Sequence, residues 1–172
     1  MDNHNHLDNE WYGRYYRLMS STNSHAVPTS LLQSPSFQLE RLRRRTRDCV
    51  DAALAAHKTT IREFWVLTCL VEEDAASQSF LSETLAIDAS DMVRLIDALE
   101  KRGWAKRERD PKDRRRQIVA STKKGTKTQA ELAELVVAAE DEALNDSTSK
   151  QLKHLRKLAQ VIIDADSEDE GQ

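Results

Sequence analysis

The chain has 172 residues, enough to bury a core as one domain or one domain with an appendage, and its 4 glycines and 3 prolines leave regular structure dominant over loops. Charged residues at 32% and aromatics at 5% favour long amphipathic helices over a β-sandwich. No stretch approaches the roughly 20 apolar residues of a membrane span, and the N-terminus lacks the basic-then-apolar layout of a secretory signal, so the expectation is a cytoplasmic protein with no membrane partner.

The net charge of −3 by itself argues against nucleic acid, but its distribution argues the other way. Residues 94–127 hold 13 basic and 5 acidic side chains, leaving 13 basic and 24 acidic for the rest of the chain. A domain with one nucleic-acid face shows that asymmetry. Cys49 and Cys69 are too few for a disulfide framework, form no CxxC pair and read as buried free thiols.

Residues 1–33 form an N-terminal extension with little apolar periodicity. Within it, Trp11, Tyr15 and Leu18 of the aromatic knot EWYGRYYRLM lie at helical spacing, which predicts a short docked helix, and Ser20 to Ser36 reads as a linker. His4 and His6 read as terminal polar sequence, not as a metal pair. A first long helix begins near Ser34 to Ser36, with Leu39, Leu42, Thr46, Cys49, Ala53 and Ala56 as an apolar stripe along about 20 residues. So long a stripe on so polar a helix predicts packing against a partner helix, with a second chain as one source.

Thr60 and Glu63 form a capping-box pattern that opens a second, nearly apolar helix through about Val71. The polar segment Glu72 to Ser79 ends it, and a third helix from about Gln78 to Ala86 is expected to bury Phe80, Leu81 and Leu85. Asp88 caps a fourth helix that Gly103 stops. Met92, Leu95, Ile96 and Leu99 form its inner stripe, while Ala89, Ser90, Asp91, Arg94 and Asp97 point outward. Small, hydrogen-bonding residues at an exposed helix start, followed by arginine, suit insertion into a major groove.

Arg107 to Thr122 is a basic stretch, with 6 basic and 3 acidic side chains. Asp110-Pro111 signals a turn, flanked by strand segments Trp104 to Arg109 and Arg116 to Ser121, in which Ile118 and Ala120 face one side and Gln117 and Val119 the other. A hairpin with a basic tip is a poor core element and a good phosphate or groove probe, the alternative being a solvated surface loop. Arg109, Lys112, Arg114 and Arg116 are then phosphate contacts or solvated flanks. Beyond it, Thr122 caps a fifth helix carrying Leu132, Leu135, Val136, Ala139 and Ala143. Ser147 caps a sixth carrying Leu152, Leu155, Leu158, Val161 and Ile162, and Asp164 to Glu170 reads as a frayed acidic tail.

This order resembles the MarR family of winged helix-turn-helix transcriptional regulators over roughly Phe37 to Ile163. The block LSETLAIDASDMVRLIDALEKRGWAKR, with its Leu99-Glu100-x-x-Gly103 step, looks like the family's helix-turn-helix, and DPKDRRRQIVASTKKG looks like its Asp-x-Arg wing and Thr-x-x-Gly helix start. The resemblance implies a mainly α fold with a small β-wing, divided into a winged helix-turn-helix lobe at about 60–121, dimerisation helices at about 35–57 and 122–163, and a tail at 164–172. It also implies a homodimeric regulator, a repressor, that reads a pseudo-palindromic operator in double-stranded DNA through helix 88–103 in the major groove and wing 107–121 in the minor groove. Arg115 is then the minor-groove probe, in keeping with the negative potential of a narrow groove, and Asp113 its brace. Two departures stand out: Ser82 where the family usually has alanine, and Ser121 where it usually has leucine.

The resemblance further implies release by a small aromatic or lipophilic effector, with His57, Phe64, Trp65, Thr68 and Cys69 as candidate lining residues, although ordinary core packing accounts for the same residues. Two other readings stand beside it: a thiol sensor using Cys49 or Cys69, and a winged-helix module whose basic wing binds an acidic protein. The chain has no Gly-rich phosphate loop, no Gly-x-Ser-x-Gly elbow and no zinc-ligand spacing, so the expectation is a non-enzyme without cofactor or metal.

Overall fold

The computed structural model describes residues 27–111, 113 and 115–169. His4, His6 and the aromatic knot at Trp11 to Tyr16 lie outside the described residues. The chain divides into two compact units, residues 1–41 and 42–172. The first contains the one-turn helix α1 (Thr29–Leu32) and the opening of α2 (Pro35–Leu54), which starts at Pro35 as the capping serines predict. Leu31, Leu32 and Leu39 are exposed.

In the second unit, the residues of α2 that enter the core are Val50 and Leu54, which lie off the stripe read from the sequence. Leu42 is exposed, while Cys49 and Ala53 lean on the core. A 3-10 turn (Ala55–His57) closes on Lys58 in the left-handed region and leads into α3 (Ile61–Glu72). The expected capping box is present: Glu63 N donates to Thr60 Oγ1 at 3.3 Å, and Glu63 Oε2 accepts from Thr60 N at 2.9 Å. Glu63 Oε2 also accepts from Thr59 Oγ1 at 2.8 Å. Phe64, Val66, Leu67 and Leu70 make α3 the central core helix, each full burial of such a side chain contributing about 1.5–3 kcal/mol.

The polar segment after α3 is not merely a connection. Ala75–Ala76 forms strand β1, which pairs antiparallel with the second wing strand in the register Ala75↔Ala120 and Ala76↔Val119. Ser77 caps α4 (Gln78–Thr84), where Leu81 is buried and Leu85 half-buried but Phe80 is exposed, against expectation, because it faces the open cleft beside β1. Asp88 caps α5 (Ala89–Lys101), whose inner side buries Met92, Ile96 and Leu99. Gly103, at φ +72°, turns the chain into β2 (Ala105–Arg109).

Strand β2 pairs antiparallel with β3 (Gln117–Ser121) from Ala105↔Ser121 to Arg109↔Gln117, giving sheet order β1-β3-β2. The face assignment of β3 differs from simple alternation: Val119 joins the core and Ala120 is buried as well, while Ile118 is only half-buried. β3 is the central strand, so β1 covers residues that a two-stranded hairpin would leave open. Helix α6 (Lys123–Ala143) packs on α3 and buries Leu132, Val136, Ala139 and Ala143. Helix α7 (Ser149–Asp169) is capped by Thr148, not Ser147: Thr148 N donates to Gln151 Oε1 at 2.8 Å, and Gln151 N donates to Thr148 Oγ1 at 3.3 Å. It continues through Asp169, so the expected frayed tail is helical over most of its length. No helix among the described residues is long and apolar enough to cross a membrane.

Two residues link sequence motifs to packing. Thr122 Oγ1 caps α6 by accepting from Gly125 N at 3.0 Å, and a Cβ at Gly125 would overlap the Trp104 carbonyl oxygen. Gly125→Ala is therefore expected to cost about 3 kcal/mol, read as a fall in Tm of about 6–12 °C by circular dichroism. The hydroxyl of Ser82 is buried without a hydrogen-bond partner. Ser82→Ala, the residue common in the resembled family, should stabilise the fold by about 1 kcal/mol, raising Tm by about 2–4 °C.

Candidate nucleic-acid interface

The start of α5 is built by Asp88. Its Oδ1 accepts from Ser90 N at 2.8 Å, Ser90 Oγ at 2.6 Å and Asp91 N at 3.2 Å. The Ser90 hydroxyl, followed by the Asp91 and Ser90 amides, holds the Asp88 carboxyl below the usual carboxylate range, so it stays charged and capping at neutral pH. Beyond it, Ala89, Ser90, Arg94 and Asp97 are exposed on the outer face, as expected, and Val93 shares that face. Val93 is not among the outward residues expected from the sequence, although its spacing of three and four residues from Ser90, Ala89 and Asp97 marks it. An exposed valine there can meet a thymine methyl group.

Asp91 is the half-exposed residue of this cluster. Arg94 Nη2 donates to Asp91 Oδ1, and that bond holds the Arg94 guanidinium above its ordinary pKa. Arg62, in the first turn of α3, places Nη1 3.5 Å from Asp91 Oδ2. Arg62 is separated from Asp91 by 29 positions, and nothing local in the sequence pairs the two.

At the wing, the Asp113 side chain accepts from Arg115 N at 3.0 Å through Oδ1, and its carbonyl accepts from Arg116 N at 2.9 Å. Asp110 N donates to Arg116 O at 3.1 Å and closes the loop. Asp113 thus orders the turn that presents Arg115 and Arg116, both exposed. No described residue pairs with the Arg115 guanidinium. Arg109 is exposed at the end of β2, whereas Lys112 and Arg114 lie outside the described residues.

Two other arginines of the basic run are occupied within the protein. Arg107, three-quarters buried at its side chain, has Nη1 2.6 Å from Asp97 Oδ1 and also pairs with Glu100 Oε2, while its amide donates to Glu100 Oε1 at 2.7 Å. Burial opposes its charge, but Asp97 and Glu100 outweigh that effect and hold the guanidinium above its ordinary pKa. Arg102 has Nη1 3.0 Å from Glu63 Oε1, an ion-pair separation whose angle falls short of a hydrogen bond, and it stacks 5.1 Å from the centre of the Trp104 ring. Its Nη2 donates to the Lys58 carbonyl.

The candidate effector residues are not all gathered. His57 is exposed on the 3-10 turn and Phe64 lies in the hydrophobic core. Trp65, 42% exposed, shares a face of α3 with Thr68 and half-buried Cys69, and Gln129 Nε2 of α6 donates to Thr68 Oγ1 at 3.2 Å. Burial, followed by the charge of Glu72, raises the Cys69 pKa.

The MarR family model matches residues 59–116, from the start of α3 to the wing. CouR from Rhodococcus jostii RHA1, in its structure bound to p-coumaroyl-CoA, is 28% identical with a TM-score of 0.70 over 77% of this chain and 94% of that one. A MarR-family transcriptional regulator from Rhodococcus sp. RHA1 is 27% identical with a TM-score of 0.69, over 76% of this chain and 96% of that one. A MarR variant from E. coli complexed with operator DNA has a TM-score of 0.69 at 19% identity, over 80% and 99% of the two chains, a likeness of fold alone. Fold, motif spacing and family model converge on one segment, residues 59–116, which match the MarR family model and run from the start of α3 into the wing.

Proposed function

We propose that the protein is a homodimeric, sequence-specific DNA-binding transcriptional regulator, a repressor, that reads a pseudo-palindromic operator. The observation that carries this reading is the division among its arginines: Arg102 and Arg107 are neutralised by carboxylates inside the fold, while Arg115 is exposed, with no partner for its guanidinium among the described residues, on a turn ordered by Asp113. An exposed arginine on an ordered hairpin tip suits a narrow minor groove. Residues Ala89, Ser90, Val93 and Arg94 are small or hydrogen-bonding at an exposed helix start and suit the adjacent major groove. The E. coli MarR variant of like fold, complexed with operator DNA, supports the same use of this architecture.

Dimerisation has its support in apolar surface. Leu158, Val161, Ile162 and Ile163 on α7 and Val137 on α6 are each more than half exposed, a quantity of large apolar side chains that a second chain would cover. We assign α2, α6 and α7 to dimerisation and the lobe at about 60–121 to DNA. Two lobes related by a twofold axis place two recognition helices about 34–36 Å apart, one helical turn of DNA.

Release of DNA by a small aromatic or lipophilic effector completes the reading, supported by the CouR structure with p-coumaroyl-CoA and by the face of Trp65, Thr68 and Cys69. A thiol switch at Cys49 or Cys69 is the weaker alternative; at Cys69 a raised pKa keeps the thiol protonated at neutral pH when a sensor needs the thiolate. An acidic protein partner for the wing would not require the outward face of α5.

Fluorescence anisotropy with a duplex selected by the full-length protein tests the reading. Two chains should bind per duplex, affinity should fall steeply with salt, and Arg115→Ala should weaken binding by about 1–3 kcal/mol. Equal affinity of Arg115→Ala and the parent would remove the wing from the interface. For Cys69, the rate of alkylation followed by mass spectrometry should be low at neutral pH and rise only above the ordinary thiol pKa; a midpoint below that value would restore the thiol switch.

A further inference from the structure

We propose that Arg62 is a DNA-phosphate contact mounted on α3, and that Asp91 is a positioning residue that holds Arg62 and Arg94 together at the start of the recognition helix. The inference rests on the DNA-binding reading and adds to it a residue outside the helix-turn-helix and wing. Asp91 divides its two oxygens between the two arginines, with Oδ1 accepting from Arg94 and Oδ2 lying 3.5 Å from Arg62 Nη1. The arrangement joins the first turn of α3 to the first turn of α5, two helices that pack on each other.

Stability alone does not account for it. The side chains of Arg62, Asp91 and Arg94 are 55%, 37% and 74% exposed, and ion pairs of that exposure contribute little to folding. The cap of α5 is already supplied by Asp88. What the cluster does provide is charge in a fixed place: one carboxylate against two guanidiniums leaves one net positive charge, and each guanidinium has five donors of which Asp91 engages a minority. The remaining donors match the oxygens of a phosphate, which arginine can hold through two parallel bonds.

Each Asp91 oxygen faces one arginine, so the carboxylate is oriented by the two guanidiniums as they are by it. Its role is to set where Arg94 and Arg62 sit. Arg94 lies on the face of α5 that meets base edges, whereas Arg62 comes from the neighbouring helix, where a backbone contact fixes register without reading sequence.

Binding of the full-length parent, Arg62→Ala, Arg62→Lys, Asp91→Asn and Arg115→Ala to a selected duplex and to a scrambled duplex of equal length would be measured across a salt series. Arg62→Ala should weaken both duplexes alike, by roughly threefold to tenfold, and reduce the salt slope by about one, while Arg62→Lys keeps the slope. Asp91→Asn should lower the ratio of selected to scrambled affinity, because the arginines lose their placement. Melting temperatures should stay close to the parent throughout. Arg62→Ala with parental affinity and slope, alongside an Arg115→Ala that does weaken binding, overturns the phosphate contact and leaves the DNA-binding reading standing. An Asp91→Asn variant that tightens both duplexes equally, as loss of a merely repulsive charge would, overturns the positioning role. A parent that binds neither duplex overturns the DNA-binding reading and this inference together.

Discussion

The buried carboxylate of Glu63 is the interaction on which the lobe depends. It closes the capping box of α3 and takes the Thr59 hydroxyl, and the guanidinium of Arg102, just past the end of α5, lies 3.0 Å from its other oxygen. Arg102 in turn covers Trp104, whose carbonyl receives the amide and hydroxyl of Thr122 at the head of α6. One charge therefore links α3, α5, β2 and α6. A buried carboxylate is tolerable only when its lone pairs are taken up, and here each partner that satisfies it also fixes an element of the fold.

The second constraint is the way nearby carboxylates choose among the arginines of the basic run. Asp97 and Glu100 lie on α5 at the spacing that reaches β2, and they bind Arg107, so the recognition helix and first wing strand are joined by charge as well as by Gly103. Glu63 takes Arg102 and Asp91 takes Arg94. The +8 of residues 94–127 is thus partly spent in assembling the lobe, while Arg115 and Arg116 at the wing tip are among the basic side chains left exposed. Local charge counts could identify the run, but the assignment of arginines to inner or outer roles depends on which carboxylates the fold brings near, and Glu63 is 39 residues away from Arg102 in the chain.

Features governed by a few consecutive residues were legible for that reason. The Thr60 and Glu63 box, the Asp88 and Thr122 caps and the Gly103 stop all act within three or four positions. Features that need a distant partner were not. Strand β1 is two alanines, with no periodicity to announce it, yet its pairing with β3 makes β3 central and changes which of its residues are buried. The stripe on α2 missed Val50 and Leu54 because the intrahelical pattern cannot say which side meets α3. Hydrophobicity alone predicts Phe80 in the core, but β1 and β3 leave it on the edge of a cleft. Ser82 is the converse case: the departure from the family pattern was visible in the sequence, and the structure adds that its hydroxyl has no partner.

The join at Gly125 bears on how the lobe and the long helices can influence each other. At most helix starts a cap tolerates small rotations, because the side chain that caps can follow. Here the backbone of α6 lies against the Trp104 carbonyl with no room for a Cβ, and Thr122 bonds Gly103 and Trp104 from the other side. Trp104 is also the residue that leads into β2 and supports Arg102. A displacement of α6 at its first turn must therefore carry β2 with it or break several close contacts at once. Since Asp97, Glu100 and Arg107 tie β2 to α5, the same displacement reaches the outer face of the recognition helix. Close packing at one glycine thus makes the position of the wing and of α5 depend on α6, whose far half carries Val137, one of the exposed apolar side chains assigned to the second chain.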